Sequence, residues 1–358
     1  MAYDRTDGKR EAVLMKTTDE ERMWITRVLD AGSRIKIKNP LVASVVIFGL
    51  PVDILLSVFL SIRKNYISPQ FFLSYILCII WLNFGPYFIW YYERKVLKDF
   101  FQRLTDLLPQ QEVKNISRKY RGVFARKFWI LIIPWMSFLF VVYHDGFILD
   151  VAGTFGFLDV WTWLLSMPVI WIPIIAGMGS WGVITTILAI NDIVSRNLRL
   201  DPLHTDKRGG LSCIGNYAIG TTILISSGSL FLPMAYQFAL HLNSLKADVY
   251  FLVSFFIAII LLSFVYPIFI TYSRVKDRRT KLLEKLRIKY NKALRDSNTI
   301  KKGARTKLES YLGLIQIRTE YNDLSGLNLY PFDVSILNKL VSSVLFPMLI
   351  TFIQQLIS

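Results

Sequence analysis

Long apolar segments recur along the chain and constrain its fold more than any other feature. Six of them can cross about 30 Å of hydrocarbon as helices, which takes roughly 20 residues. Only 19% of the 358 residues are charged and 53% are hydrophobic, whereas soluble domains carry about 25% charged residues. The sequence therefore predicts an all-α, polytopic membrane protein rather than a soluble enzyme. The six segments are 41–62, 71–92, 128–148, 158–190, 217–240 and 250–272; a seventh, 334–357, is as long but more polar.

Most of the 42 Lys and Arg residues lie in hydrophilic segments that would share one side of the membrane. Because cytoplasmic loops carry the Lys and Arg excess, we predict an N-terminus inside and, with seven spans, a C-terminus outside. The predicted parts are a cytoplasmic N-terminal segment 1–40, a six-helix bundle 41–272 with cytoplasmic loops 93–127 and 191–216, a cytoplasmic helical segment 273–333, and the seventh span 334–358.

The net charge of +16 follows from this distribution and needs no nucleic acid. We expect the lipid bilayer as partner, partly through anionic lipids, and a multi-pass location in the plasma membrane. The first 22 residues lack an apolar h-region, so we expect no cleaved signal peptide before the first span. Cys78 and Cys213 are too few for a disulfide framework, and we expect free thiols.

Segment 273–325 reads as two amphipathic helices. No helix-breaking residue lies between the sixth span and the first of these two helices. We therefore expect that helix to continue the span into the cytoplasm. The two helices either lie on lipid or bundle with copies of themselves. Apolar side chains recur at helical spacing on the first at Leu283, Leu286, Tyr290 and Leu294, and on the second at Leu308, Leu312 and Ile315.

The string from His204 to Leu211 is the most distinctive motif outside the spans. Its acidic and His side chains could hold a divalent cation, with His204 and Asp206 as metal ligands, or the string could bind a ligand phosphate through Lys207, Arg208 and the backbone amides of the two glycines. The alternative is a turn that needs glycine. No metalloprotease, Walker or catalytic-triad pattern accompanies the string, so we expect neither enzyme activity nor a cofactor. The candidate residues are Asp201, His204, Asp206, Lys207, Arg208, Gly209 and Gly210.

Two polar positions interrupt the apolar spans. Asp53 follows Pro51 in the first span, and Asn83 precedes Gly85 and Pro86 in the second. Ionisable groups inside spans are costly and often functional. Asp53 could bind a cation, or neighbouring polar groups could satisfy its carboxylate. On the predicted outer side, acidic side chains without nearby Lys or Arg could concentrate cations; they are Asp145, Asp150 and Asp159, beside His144.

The seventh span carries a polar stripe that recurs every three or four residues. Hydroxyls and amides in such a stripe can replace part of an ion's hydration shell, or they can hold helices together. Phe346 and Leu349 near the middle of the span are candidates for a hydrophobic gate. The candidate pore-lining residues are Asn338, Ser342, Ser343, Thr351, Gln354 and Gln355.

The string His204–Leu211, with Pro331-Phe332-Asp333 more than 100 residues later, resembles uncharacterised prokaryotic multi-span proteins that carry an H-P-D-x-x-G-G-L loop; Thr205 replaces their Pro. That family brings no known activity. The architecture is also similar to insect odorant and gustatory receptors, which are tetrameric ligand-gated cation channels with a pore-lining last helix. Of their closing sequence pattern, only Gln354 matches.

From these features we expect an oligomeric, cation-passing ion channel with the C-terminal helix at its pore. One alternative is a secondary transporter or flippase that uses Asp53 and the irregular spans. Another is a membrane sensor or scaffold with a ligand-binding loop at His204.

Overall fold

The computed structural model describes residues 22–32, 37–62, 69–143, 160–241, 246–299 and 304–331. All regular elements within these ranges are helical, which confirms the all-α prediction. The helices are α1 (Trp24–Ala31), α2 (40–62), α3 (69–106), α4 (Gln110–Arg126), α5 (Trp129–Tyr143), α6 (Val160–Ser195), α7 (212–241), α8 (Lys246–Thr299) and α9 (Ala304–Ser325).

Three helices change their winding along their length. In α2, the π-turn Val45–Gly49 separates Pro40–Ser44 from Leu50–Ile62. In α3, the π-turn Tyr92–Val96 follows Pro69–Tyr91 and precedes Leu97–Arg103 and the 3₁₀ turn Leu104–Asp106. In α7, the 3₁₀ turn Ser227–Phe231 joins Ser212–Ser226 to Leu232–His241. The second span is continuous through Pro86, so its change of winding comes at Tyr92 rather than near Asn83.

Four helices in the described ranges are long and apolar enough to cross a membrane. They coincide with the second, fourth, fifth and sixth predicted spans, while Pro40–Leu55 is a shorter apolar helix in the predicted first span. The total of seven and their orientation stay predictions. The four are Phe72–Asp106, Ile170–Ser195, Ser212–Tyr236 and Val253–Arg295.

Helix α6 lies at the centre of the bundle, where it packs against α2, α3, α4, α5, α7 and α8. In the most apolar stretch of α6, 72% of the residues are buried, compared with 28% in the most apolar stretch of α8. Small residues bring the backbones close: a Cβ on Gly177 would lie 2.8 Å from Cγ1 of Ile132 on α5. Close helix contact through glycine is typical of membrane bundles.

The hydrophilic segments meet at one end of the bundle. We call this the polar layer and define it as the described residues of 93–127, 191–216 and 273–331. The Arg199 N–H donates to the Leu107 carbonyl at 2.8 Å, and Lys119 Nζ lies 3.0 Å from Asp192 Oδ2. Arg278 reaches the Arg196 carbonyl from α8. These contacts join the segments predicted to share the cytoplasmic side.

Helices α8 and α9 pack against each other beyond the bundle. Helix α8 runs without interruption from Lys246 to Thr299, as expected from the absence of a breaker after the sixth span. Leu286 on α8 and Leu314 and Ile317 on α9 are buried. Part of the apolar stripe on the first helix of 273–325 therefore packs within the chain, and its contact with lipid or with other copies stays a prediction.

Candidate functional site

Asp53 lies on α2, where that helix packs against α3 and α6. Asn83 on α3 donates from Nδ2 to Asp53 Oδ2 at 2.7 Å and to the Ile79 carbonyl at 2.8 Å. The other oxygen, Asp53 Oδ1, is buried and has no hydrogen-bond partner among the described residues. The carboxylate that the sequence indicates is thus only half satisfied by its neighbours.

The π-turn in α2 allows Asn83 to approach the backbone of that helix. A Cβ on Gly49, the last residue of the turn, would lie 1.8 Å from Asn83 Oδ1, so only glycine fits there. Ser44, just before the turn, donates to the Asn83 carbonyl at 2.6 Å. π-turns inside α-helices are frequent at functional sites. Ser44, Gly49, Asp53 and Asn83 form what we call the Asp53 site.

Hydroxyl groups continue from the Asp53 site toward the end of α2 at Ile62. Ser57, one turn after Asp53, lies 2.9 Å from the Tyr75 hydroxyl of α3. Ser61, one turn further, donates to the Ser57 carbonyl at 2.8 Å. Ser57 and Ser61 are exposed on the bundle surface and Tyr75 is half-buried. The predicted orientation places this end of α2 on the outer side.

In the polar layer, the loop at His204 folds around the carboxylate of Asp206. Its Oδ1 accepts from the N–H groups of Arg208 at 2.8 Å and Gly210 at 3.1 Å, and its Oδ2 accepts from Ser212 at 3.2 Å. The cradle that the sequence predicts for a phosphate is thus occupied by the protein's own Asp206. Burial favours a higher pKa for Asp206, but these donors lower its pKa to about 2.

Left-handed backbone explains the two glycines of the loop. Gly209 and Gly210 have φ of 67° and 89°, and Lys207 has φ of 54°. A Cβ on Gly210 would also lie 3.0 Å from Leu107 Cδ2. Asp201 Oδ1 accepts from the Leu203 N–H at 2.9 Å, which forms a local turn. The loop therefore has the geometry of the predicted turn, and ligand binding by it stays a prediction.

His204 lies between two carboxylates. Its Nδ1 is 2.8 Å from Asp206 Oδ1, and its Nε2 is 3.6 Å from Asp106 Oδ2. Burial opposes the positive charge on the imidazole, but the two acidic partners outweigh that effect and raise the pKa of His204. Within the described ranges, no three His, Cys, Asp or Glu side chains come together to hold a metal.

The pore and gate candidates lie in 334–358, outside the described residues. The same is true of His144, Asp145, Asp150 and Asp159. Their roles stay predictions. Cys78 and Cys213 are described, free and buried.

Sequence reasoning missed a buried cluster of hydroxyl groups that joins three helices. Tyr92 of α3 lies 2.8 Å from Thr186 of α6 and 3.2 Å from Tyr217 of α7. Thr221 of α7 lies 2.7 Å from Thr186. Tyr92 belongs to the second π-turn. The only sequence signal was Tyr and Thr within otherwise apolar runs, which does not show that they meet.

Comparison with protein-family models, curated proteins and solved structures finds no match to this chain. Function therefore has to be inferred from the described geometry and the sequence.

Proposed function

We propose that the chain assembles with copies of itself into a cation-passing ion channel, in which segment 334–358 lines the pore. The observation that carries this proposal is the contact of residues 328–330 with the rest of the polar layer and with α8. The Asn328 N–H donates to the Lys207 carbonyl at 3.4 Å, and the Tyr330 ring stacks on Tyr272 of α8 at 4.7 Å. In this proposal, segment 334–358 enters the membrane beside α8, at the edge of the bundle.

The membrane half of α8, which is the part within the predicted sixth span 250–272, offers few hydrogen-bond partners to a polar stripe. Large apolar side chains dominate its exposed surface, and lipid tails offer no partners either. An unpaired buried polar group costs about 1–3 kcal/mol. The stripe on 334–358 therefore favours water in a lumen or polar groups of other copies. The exposed apolar residues are Phe251, Phe255, Leu261, Leu262, Val265 and Phe269.

A second surface supports assembly into a homo-oligomer. Helix α9 exposes an apolar stripe, which we call the α9 face, and each member is 56–62% exposed. Because α8 is continuous, Leu286 lies about 20 Å along the helix from Tyr272, at 1.5 Å per residue. The paired α9 is thus carried away from the bilayer, and we favour a second copy over lipid as its partner. The face consists of Leu308, Tyr311, Leu312 and Ile315.

Currents through purified protein in planar bilayers test the channel. We expect Gln354→Glu to raise cation permeability about fivefold and to lower anion permeability, because a charge about 4 Å from an ion in water contributes about 1 kcal/mol. Gln111→Glu, at an exposed position of α4, is the matched control and should leave permeability unchanged. Phe346→Ala should raise open probability if this ring gates the pore, and Leu345→Ala should not.

Accessibility of the last span gives an independent measurement. In a channel, Ser343→Cys, Thr351→Cys and Gln354→Cys should react with water-soluble thiol reagents, whereas Leu340→Cys on the apolar side should not. A chain that passes no current and protects all three introduced thiols would show that the stripe packs against other helices, and the channel proposal would be wrong.

A secondary transporter or flippase is a second candidate, favoured by the buried oxygen of Asp53 that no described residue pairs with. A monomer that moves a solute at a rate dependent on Asp53, without unitary current steps, would support it. A symmetric ring that conducts equally well as Asp53→Asn would support the channel.

A further inference from the structure

We propose that Asp53 is a proton-binding site within the first span, which exchanges its proton along Ser57 and Tyr75 at the predicted outer end of α2. The first observation is the asymmetry of its carboxylate. One oxygen accepts from Asn83 at 2.7 Å, while the buried Oδ1 has no partner among the described residues. An ionised oxygen in that position is far more costly than a neutral acid.

The neighbours of Asp53 suit a proton better than a metal cation. Na⁺ and Ca²⁺ need several oxygen ligands, but Asn83 presents its amide nitrogen to Asp53. That orientation is fixed because the same nitrogen donates to the Ile79 carbonyl at 2.8 Å, where an amide oxygen would be repelled. No group of three acidic or His ligands occurs in the described part of the chain. A proton needs only one oxygen, whereas a desolvated metal ion needs several.

The route to water rests on helix spacing and one hydrogen bond. Ser57 and Ser61 follow Asp53 at four-residue intervals, so all three share a face of α2. Tyr75 contacts Ser57 at 2.9 Å, and both serines are exposed. None of these hydroxyls hydrogen-bonds to Asp53 Oδ1, so in the proposed route a water molecule carries the proton between these hydroxyls and that oxygen, and the proton returns the same way with no other reactant. The site is independent of the channel, because α2 and α3 do not include 334–358.

Labelling by a hydrophobic carbodiimide reports a protonated carboxyl group. The carboxyl oxygen bonds to the carbodiimide carbon while the acid proton moves to nitrogen, and rearrangement gives a stable N-acylurea that retains all atoms. The full chain is reconstituted in vesicles, and adducts are quantified by mass spectrometry. An acid with a pKa of about 3.9 is only about 0.1% protonated at pH 7. We expect labelling of Asp53 at least about tenfold above that of exposed Asp99 and Glu320, and its loss in Asp53→Asn.

Two further comparisons test the role of Asn83 and the side of the membrane from which the proton reaches Asp53. Asn83→Leu removes the donor that favours the ionised form, so labelling should persist to higher pH; Asn115→Leu, an exposed amide on α4, should not change it. With the polar layer inside, verified by protection of Leu203→Cys from an impermeant thiol reagent, labelling should follow external pH. In Ser57→Ala with Tyr75→Phe, that dependence should be lost.

Three results would overturn the proposal. Labelling of Asp53 at the level of the exposed carboxylates, in protein with unchanged helical content, would show that it stays ionised. Protection by Na⁺ at constant pH would identify a metal-cation site. Labelling that follows internal pH would rule out the route through Ser57 and Tyr75. None of these results depends on current, so the proton site and the channel can fail separately.

Discussion

Asp206 shows how a single side chain can satisfy several backbone donors of its own loop. Its carboxylate accepts three backbone N–H groups, which are the donors that a phosphate would otherwise engage. A short segment of acidic and basic residues with two glycines therefore predicts two structures. The same residues suit an anion-binding site and a turn that satisfies its own backbone donors. The distinction depends on where the carboxylate points, and spacing alone does not determine this.

At the same scale, His204 should make stability depend on pH. The folded state raises the pKa of His204 above its usual 6.5, so its stabilising contribution is complete below about pH 6.5 and is lost as pH rises through the folded value. We expect the melting temperature of the parent to exceed that of His204→Asn by more at pH 6 than at pH 9. Thr205→Ala, at an exposed neighbour, is the control. An equal difference at both pH values would contradict the ion pairs with Asp206 and Asp106.

At the scale of elements, the length of apolar segments and the spacing of their apolar residues predicted the helices whose extent is set by local sequence. The continuation of the sixth span into the next helix followed from a helical pattern with no breaker residue between them, and α8 has that form, with Pro267 inside the span itself. The π-turn Val45–Gly49 could not be predicted, because it depends on Asn83 approaching Gly49 from another helix. The pairing of α8 with α9 was missed for the same reason, since a stripe shows an apolar face but not its partner.

The α8–α9 pair gives an element-scale prediction with a matched control. Leu286 is 9% exposed, whereas Ile288, also on α8 and outside the α9 face, is 62% exposed. We expect Leu286→Ala to lower the local stability of the pair by about 2–4 kcal/mol through lost burial and a residual cavity. Ile288→Ala should change it by less than about 0.5 kcal/mol. Hydrogen exchange of the α9 amides measures both, and equal exchange in the two variants would show that Leu286 does not support the pair.

At the scale of the whole molecule, the described chain has one well-packed centre and two sparsely covered parts. Helix α6 contacts most of the bundle, while the membrane half of α8 and the α9 face expose large apolar side chains. In the proposed arrangement, lipid covers the first of these surfaces. The continuous helix carries the second beyond the membrane in that arrangement, where water would make apolar exposure unfavourable at roughly 25 cal/mol per Å².

The α9 face should therefore mediate contact between copies. Leu312→Glu places a charge at the centre of the stripe, where burial against a second apolar stripe would leave it unpaired at a cost of several kcal/mol. We expect this variant to shift the purified protein in mild detergent from an oligomer to a monomer, as measured by mass photometry. Leu203→Glu is the matched control, because Leu203 is 84% exposed in the polar layer and lies outside the α9 face. If Leu312→Glu keeps the parent's mass while Leu203→Glu behaves as expected, copies do not meet through α9. In that case a ring would have to be held by its membrane helices, and the exposed half of α8 would be the next surface to test.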